Sequence, residues 1–308
     1  MGGQVKEALV TGDKGFVGRH FARYLRDRGW NVLTCDVKDG HDARTLWQTT
    51  GWREGGLDLV VHCAAVVGGR EMIDGAPLAL AANLELDAGL FQWAMRVRPA
   101  RVLYFSSSSV YPVYEQTGGR ARPLPEHMVR AALDIPSVGV PDQLYGWAKL
   151  TGENLAHRAR AAGLNISVVR PFSGYGSDQD ASYPFPAFID RALRREDPFT
   201  IWSAGDQVRD FIHIDDIVRA CMAMYEQGID GPVNLGTGRG TTMTELASMV
   251  CAQAHYRPGF KFDLAAPRGV TCRVADVALL RGFCEPEITL DRGIAQALAW
   301  RRKNRQLA

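Results

Sequence analysis

Tyr145 and Lys149 lie four residues apart in the segment Tyr-Gly-Trp-Ala-Lys. On an α-helix this spacing places both side chains on one face, one turn apart. A free tyrosine has a pKa of about 10, but a fixed cation beside it favours the phenolate, which is a better base near neutral pH. The pair therefore indicates redox chemistry in which a substrate hydroxyl loses its proton. The same spacing also occurs by chance on amphipathic helices, so the surrounding motifs must support it.

A glycine-rich segment near the start of the chain has the spacing G-x-x-G-x-x-G, directly after a short β-branched run. Gly12 allows a tight turn, Gly15 lets a pyrophosphate approach the backbone, and Gly18 permits close packing of the helix on the strand. The helix would begin with Phe16 and Val17, and its N-terminus would face the phosphates. This arrangement predicts a dinucleotide cofactor.

Asp36 ends the second predicted strand, eighteen residues beyond Gly18. A carboxylate at this place accepts hydrogen bonds from the adenosine ribose and repels a 2′-phosphate, which favours NAD over NADP. Lys38 partly offsets that repulsion. The alternative is that Asp36 only begins the turn that leads to Gly40.

Short β-branched runs alternate with helical patterns through the first half of the chain, which is typical of βαβ units. The predicted fold class is α/β, a Rossmann-type doubly wound parallel sheet with a smaller C-terminal substrate-binding region. We expect an NAD-binding domain over residues 1–170 and a mainly substrate-binding region over 171–308, with 210–240 partly returning to the first. The predicted strands are 8–12, 31–36, 58–65, 101–109 and 166–171, and helices are predicted over 15–29, 76–98 and 145–162.

Composition excludes several classes of function. The chain has 36 basic and 34 acidic residues and a net charge of +2, so it offers no general field that attracts nucleic acid or an anionic membrane. No apolar run is long enough to span a bilayer, and the first residues lack the apolar stretch of a signal peptide, so we expect a cytoplasmic protein. The six cysteines are scattered without metal-ligand spacing, which predicts neither a metal site nor a disulfide framework.

Several motifs together resemble one family, the extended short-chain dehydrogenase/reductases, and within it the NAD-dependent nucleotide-sugar epimerases and dehydratases. In chain order they are TGDKGFVG, HCAAVVGG, SSSSVYP, YGWAK, RPFSGYG, RDFIHIDD and VNLGTG. The resemblance covers nearly the whole chain. It implies tightly held NAD, a nucleotide-sugar substrate, and a homodimer packed through the helices at 76–98 and 145–162.

The resemblance also implies roles for individual residues. Tyr145 would be the base that takes the sugar hydroxyl proton, Lys149 would hold the nicotinamide ribose, and Ser107 would hydrogen-bond the reacting hydroxyl. The alternative for Ser107 is an ordinary polar strand exit, since it belongs to a run of four serines. The further cofactor-binding positions that the resemblance implies are Asp42, Ala43, Ala64, Ala65 and Asn83.

On the substrate side, the resemblance assigns Arg209 to the nucleotide diphosphate, and Arg273 is a candidate second clamp. A guanidinium suits this task because its planar donors grip phosphate oxygens bidentately. Either arginine could instead be solvated or form a local ion pair. Ser173 stands where the family has an Asn that supports the substrate phosphates, and Ser109 is a further candidate for contact with the sugar.

The motifs look most similar to the GDP-mannose 3,5-epimerase and GDP-fucose synthase branch, but Ser109 replaces the acid/base cysteine of those enzymes. A serine hydroxyl is a much poorer base than a thiol. Dehydratases carry Thr-Asp-Glu where this chain has three serines, 107–109. These departures favour an NAD-dependent 4-epimerase of a UDP- or other NDP-hexose or hexuronic acid. The alternatives are an NDP-uronate decarboxylase, an NDP-4-keto-sugar reductase or dehydratase, and a non-catalytic dinucleotide-sensing regulator.

Overall fold

A six-stranded parallel sheet forms the centre of the protein in the computed structural model, which describes residues 5–49, 56–68, 78, 81–118, 122–129 and 139–305. In spatial order its strands are β2 (Asn31–Cys35), β1 (Glu7–Thr11), β3 (Leu59–His62), β4 (Val102–Phe105), β5 (Ile166–Pro171) and β9 (Val233–Leu235). The strand order runs in opposite directions on the two sides of β1. Such a reversal opens a crevice at the carboxyl ends of the strands, where ligands bind in doubly wound sheets.

Helices cover both faces of this sheet. They are α1 (Phe16–Arg26), α2 (Ala43–Gln48), α3 (Ala82–Val97), α4 (Gln143–Ala161), α5 (Pro184–Arg194), α6 (Ile214–Gln227), α7 (Met243–Gln253), α8 (Ala278–Arg281) and α9 (Leu290–Arg305). Helices α1 and α6 pack together on one face, whereas α2, α3 and α4 pack in sequence on the other. Of the helix predicted over 76–98, residues 76, 77, 79 and 80 lie outside the described residues. None of the described helices combines the length and apolar character needed to cross a bilayer.

Alternate residues of each central strand face opposite helical layers. Ala8 and Val10 join the core beneath α1 and α6, and Leu9 between them joins the core beneath α2, α3 and α4. All three are essentially inaccessible to solvent. A sheet buried on both faces requires near-continuous apolar strands, which is the pattern the sequence shows. The predicted α/β Rossmann-type fold is therefore confirmed.

A second, smaller sheet is built around β8 (Val208–His213). Its neighbours are β10 (Gly240–Thr242), which is antiparallel, and β6 (Ser173–Tyr175) and β12 (Cys272–Arg273), which are parallel. Strands β7 (Phe199–Trp202) and β11 (Phe260–Asp263) form a separate parallel pair. Within residues 210–240, α6 and β9 pack with the large sheet, whereas β8 belongs to the small one. The division into two domains stays a prediction.

Candidate active site

The glycine-rich turn follows β1 at the carboxyl edge of the large sheet. Gly12 has φ +70°, a left-handed conformation that glycine adopts without strain, and its N–H donates to the carbonyl of Cys35 at 2.8 Å. A Cβ on Gly12 would lie 2.7 Å from the backbone nitrogen of Ala64, and a Cβ on Gly18 would overlap the Gly12 carbonyl oxygen. The Gly15 N–H donates to that same oxygen at 2.9 Å. Close backbone packing thus excludes a side chain at positions 12 and 18.

The N-terminus of α1 lies directly behind this turn. Gly15 is its N-cap, and among the described residues no side chain caps this helix end and none in its first turn is acidic. The first backbone N–H groups of a helix lack intrahelical partners and carry the positive end of its dipole. Residues Phe16 and Val17, which open α1, are therefore suited to the pyrophosphate of a dinucleotide. The described residues fit the cofactor that the sequence predicts.

Asp36 is buried beside the turn and accepts two backbone hydrogen bonds. Its Oδ2 accepts from the Lys14 N–H and its Oδ1 from the Lys38 N–H, both at 2.9 Å. The residue thus does begin a turn, as the alternative interpretation holds, and it also braces the glycine-rich turn. Asp13 lies close by with its Oδ1 buried and without a hydrogen-bond partner among the described residues, and burial raises its pKa. Two carboxyl groups therefore lie near the end of β2.

An Asp36→Asn variant tests the role of this carboxylate in cofactor choice. We expect its preference for NAD over NADP to fall about tenfold, because the charge that repels a 2′-phosphate is gone. Calorimetric dissociation constants for both cofactors measure this. The control is Asp39→Asn, since Asp39 is exposed and pairs with the Lys14 ammonium at 3.0 Å. An unchanged NADP-to-NAD ratio in Asp36→Asn would contradict the assignment.

Two predicted adenine-side positions lie at the start of α2. Asp42 is the N-cap of this helix, its Oδ1 accepting from the Arg44 N–H at 2.8 Å, and its Oδ2 pairs with the Arg44 guanidinium at 2.6 Å. This pairing holds the pKa of Asp42 below its usual range. Ala43 is buried next to it. Their contact with the cofactor remains a prediction.

The loop after β3 carries the other predicted cofactor positions. Ala64 and Ala65 are half-buried, and the Ala64 backbone lies against Gly12. Asn83 is fully buried on α3, where its Oδ1 accepts from the Val66 N–H at 2.7 Å and its Nδ2 donates to the Val66 carbonyl at 2.9 Å. Asn83 therefore positions the loop, and a direct contact with the cofactor stays a prediction.

Helix α4 and the end of β4 bring the predicted catalytic residues together. Ser107 follows β4 and caps a short 3-10 turn over 108–110, its Oγ accepting from the Ser109 N–H at 3.1 Å. The Ser107 side chain also faces the phenol of Tyr145, where it partly offsets the rise in the pKa of that phenol that burial causes. Lys149 lies one helical turn further along α4 and is almost completely buried. The structure thus places Tyr145 against Ser107, with Lys149 on the same helix.

The direction of the Tyr145 pKa differs from the expectation based on spacing. Burial raises the pKa of Tyr145, and the carboxylate of Asp87 raises it further. Lys149 directs its Nζ to within 3.4 Å of Asp87 Oδ2, so part of its charge is compensated there. In the protein without ligands, burial and Asp87 therefore have a larger effect on the pKa of Tyr145 than the ammonium of Lys149.

The predicted substrate residues surround β8. Arg209 and Arg273 are register partners on β8 and β12, which places them side by side on one face, and Ser173 begins β6, which pairs with the second half of β8. The Arg273 guanidinium pairs with Asp142 at 2.8 Å and donates to the Ser109 Oγ at 3.3 Å. Arg273 therefore forms a local ion pair, which is the alternative interpretation given above. Through Ser109 it also contacts the loop of residues 106–111, called the serine loop below. Substrate binding by these residues remains a prediction.

A second buried group of polar side chains holds the serine loop and was missed from the sequence. Glu153 pairs with Arg170 at 2.6 Å and accepts a hydrogen bond from Ser106. Arg170 also donates to the Tyr111 hydroxyl at 3.1 Å, which in turn donates to Asn234 Oδ1 at 2.7 Å. Both ends of the loop 106–111 are thereby anchored. One signal was available, because Glu153 continues the stripe of Tyr145 and Lys149 at the same four-residue spacing.

The fold and this arrangement define a dinucleotide-dependent enzyme of the short-chain dehydrogenase/reductase class. A glycine-rich turn, a helix N-terminus and a serine–tyrosine–lysine group all lie on elements that end or begin at the carboxyl edge of one parallel sheet. Residues 8–236 match the model of the NAD dependent epimerase/dehydratase family, and the chain belongs to that family. The predicted family is confirmed, and NAD is the cofactor.

Relatives and solved structures span the chain almost completely. A dTDP-4-dehydro-6-deoxy-D-allose reductase from a Streptomyces species is 26% identical, covering 98% of each chain. A putative GDP-L-fucose synthase 2 from Arabidopsis thaliana is also 26% identical, covering 96% of this chain and 92% of its own. The solved structure of MoeE5 in complex with UDP-glucose and NAD is 29% identical with a TM-score of 0.80, covering 98% of this chain and all of its own.

Proposed function

We propose that this protein is an NAD-dependent nucleotide-sugar 4-epimerase that acts on a UDP- or other NDP-hexose or on the corresponding hexuronic acid. The observation that carries the proposal is that Ser107 and Tyr145 face each other at a site whose neighbouring position, Ser109, holds only a hydroxyl. Oxidation at C4 and its reversal need a base and a hydroxyl partner. Abstraction of a carbon-bound proton elsewhere on the ring needs a stronger base than Ser109.

The residues divide the reaction between them. Tyr145 takes the proton of the C4 hydroxyl and later returns it, while Ser107 orients that hydroxyl. Lys149 holds the nicotinamide ribose and, with Ser107, favours the phenolate against the opposing effects of burial and Asp87. NAD held by the glycine-rich turn and Lys149 would supply a hydride acceptor for the C4 hydrogen and, once reduced, a hydride donor to the 4-keto sugar, so epimerisation would consume no cofactor.

The solved relatives support the nucleotide part of this proposal. MoeE5 has been solved with UDP-glucuronic acid and NAD as well as with UDP-glucose. In the present chain, Arg209 supplies a guanidinium group on β8, beside Arg273 of β12, whose own guanidinium is paired with Asp142. Planar guanidinium donors suit both a diphosphate and a sugar carboxylate.

The test is incubation of the purified protein with a panel of UDP-, GDP-, dTDP- and CDP-sugars that includes UDP-glucuronic acid, followed by NMR of the products. Retained mass with inverted configuration at C4 is the expected result. Loss of carbon dioxide would identify a decarboxylase, and loss of water a dehydratase. The proposal fails if no sugar nucleotide reacts even with added NAD.

A second candidate is the reduction of an NDP-4-keto sugar. It is favoured by the two relatives described above, whose names are those of a 4-keto-sugar reductase and a GDP-L-fucose synthase and which cover nearly the whole chain. Reduction consumes one reduced cofactor for each product, whereas epimerisation consumes none. Stoichiometric loss of reduced-nicotinamide absorbance with a 4-keto substrate would therefore favour this candidate.

We also propose a homodimer formed through α3 and α4. These adjacent helices expose Leu84, Leu144 and Trp147, whose side chains are 41, 40 and 46% accessible. A Trp147→Glu variant is expected to run as a monomer in light scattering, because a charge at such an apolar contact cannot be desolvated cheaply. The matched control is Trp300→Glu, since Trp300 is 43% accessible but lies on α9. A wild-type monomer, or an unchanged dimer in Trp147→Glu, would contradict the proposed interface.

A further inference from the structure

We propose that Asp87 is the positioning residue for Lys149: from helix α3 it holds the ammonium of Lys149 in place for the nicotinamide ribose. The inference rests on the role of Lys149 in the proposed function and adds a residue that no motif pointed to. Asp87 is 1% exposed, and its Oδ2 lies 3.4 Å from Lys149 Nζ. An ammonium in such a buried place is stable only with a partner charge.

The carboxylate of Asp87 is held by groups from two strands. Its Oδ2 accepts a hydrogen bond from the Tyr104 hydroxyl at 2.5 Å, and its Oδ1 lies 3.4 Å from His62 Nε2. Burial by itself would raise the pKa of Asp87, but Lys149 and His62 outweigh it and hold that pKa below its usual value. Burial lowers the pKa of His62 and raises that of Tyr104. Asp87 is therefore the anion of this group, between a neutral imidazole and a protonated phenol.

The same group reaches the glycine-rich turn. His62 Nδ1 lies 2.9 Å from the Thr11 Oγ1, and that oxygen accepts a hydrogen bond from the Ala64 N–H at 3.3 Å. Thr11 is the last residue of β1, immediately before Gly12. A continuous line of contacts therefore joins Lys149, through Asp87 and His62, to the turn that receives the pyrophosphate.

A glycine on α4, Gly152, leaves room for Tyr104 and Asp87 between the helices. A Cβ on Gly152 of α4 would overlap the Tyr104 hydroxyl and would lie 2.9 Å from Asp87 Oδ2. Helices α3 and α4 pack directly against each other, so Asp87 and Lys149 meet across their interface. The ammonium of Lys149 also lies over the aromatic ring of Tyr104, with its Nζ 5.0 Å from the ring centre.

The number of N–H donors on the Lys149 ammonium explains how Asp87 can hold this group and still leave it able to bind the ribose. A lysine ammonium has three donors. Asp87 takes one of them from the interior side, which leaves two for the ribose hydroxyls and limits the directions in which the side chain points. Without Asp87, the ammonium would have to move towards solvent or lose its proton, and either change would remove it from the ribose.

The experiment is a double-mutant cycle on cofactor binding, with Asp87→Asn, Lys149→Met and the double variant. Asparagine keeps the shape of Asp87 and an acceptor for Tyr104. We expect each single variant to weaken NAD binding about tenfold, and the double variant to bind no more weakly than either one, because Asp87 acts through Lys149. ADP, which lacks the nicotinamide ribose, is expected to bind all variants within twofold of the wild type. Calorimetry with NAD and with ADP measures both.

A second readout is the melting temperature of the NAD-free proteins. Asp87→Asn leaves a buried ammonium without its partner, so we expect it to melt several degrees below the wild type, and the double variant to melt above Asp87→Asn. Tyr104→Phe removes one hydrogen bond from Asp87 but keeps its charge, and we expect it to weaken NAD binding less than Asp87→Asn. The matched control is Asp190→Asn, since Asp190 pairs with Arg301 at 2.6 Å in the C-terminal part and should not affect NAD binding.

Three results would overturn the proposal. They are wild-type NAD affinity in Asp87→Asn, an equal loss of NAD and ADP affinity in that variant, and an Asp87→Asn effect that adds fully to that of Lys149→Met. The second and third would mean that Asp87 only supports the fold. None of these measurements uses a sugar nucleotide, so a failed epimerase assay would leave this test intact.

Discussion

The Tyr145→Phe variant is expected to lose about 1,000-fold or more in kcat while still binding NAD. The phenol hydroxyl is the only group removed, and in the proposed reaction it is the group that exchanges a proton with the sugar. Tyr145 is half-buried and faces Ser107, and desolvation raises its pKa, so we expect bulk water to replace the missing hydroxyl poorly. Single-turnover formation of reduced nicotinamide after addition of the reactive sugar nucleotide measures the step directly.

A nearby tyrosine provides the matched control for this variant. Tyr183 is half-buried at the start of α5, and burial together with the neighbouring Tyr145 raises its pKa to about 12. Tyr183→Phe removes a phenol oxygen from the same neighbourhood but not from the reacting group, so its kcat should stay within a few-fold of the wild type. Activity near wild type in Tyr145→Phe, or equal losses in the two variants, would refute the assigned base.

The Arg170→Met variant is expected to lose about 3–5 kcal/mol of unfolding free energy and most of its activity. Arg170 is fully buried, and its removal leaves the Glu153 carboxylate without its cation in the interior. The same change removes one of the two hydrogen bonds of the Tyr111 hydroxyl and takes the cation from the Glu153 that holds Ser106, so both anchors of the serine loop are weakened. Urea denaturation of the NAD-free protein measures the stability loss.

Arg101 is the matched control for Arg170. It also lies at one end of a central strand and pairs with a carboxylate, Asp230, at 3.0 Å, but the side chain of Asp230 is 45% accessible to solvent. Arg101→Met should therefore cost only about 1 kcal/mol and leave the catalytic constant nearly unchanged. Equal destabilisation by the two substitutions would show that burial of the Glu153–Arg170 pair does not matter.

Features that depend on neighbouring residues were accessible from the sequence. The strands of the large sheet and the turn at Gly12 followed from periodicity and from glycine spacing, because both reflect the local backbone. The distance between Tyr145 and Lys149 along one helix was predictable for the same reason. The lengths of the elements were harder to predict. The strand predicted over 101–109 ends at Phe105, because the chain leaves the sheet where Ser107 caps the next turn.

Features that depend on packing between distant segments were not accessible. Asp87 meets Lys149 only because α3 packs on α4, and Arg273 meets Asp142 only because β12 pairs with β8. Nothing in the local sequence of Arg273 distinguishes a phosphate clamp from an internal ion pair. The sign of the Tyr145 pKa shift belongs to the same class, since it sums burial and charges from several elements.

The sequence by itself determined the class of fold and the conformation of the glycine-rich turn, and it predicted the reacting groups, because backbone conformation and spacing along one element are local properties. Tertiary structure alone decided which charges face those groups. Burial and Coulomb interactions act through space, so the pairing of Lys149 with Asp87 and the anchoring of the serine loop by Arg170 exist only once the sheet and its helices have assembled.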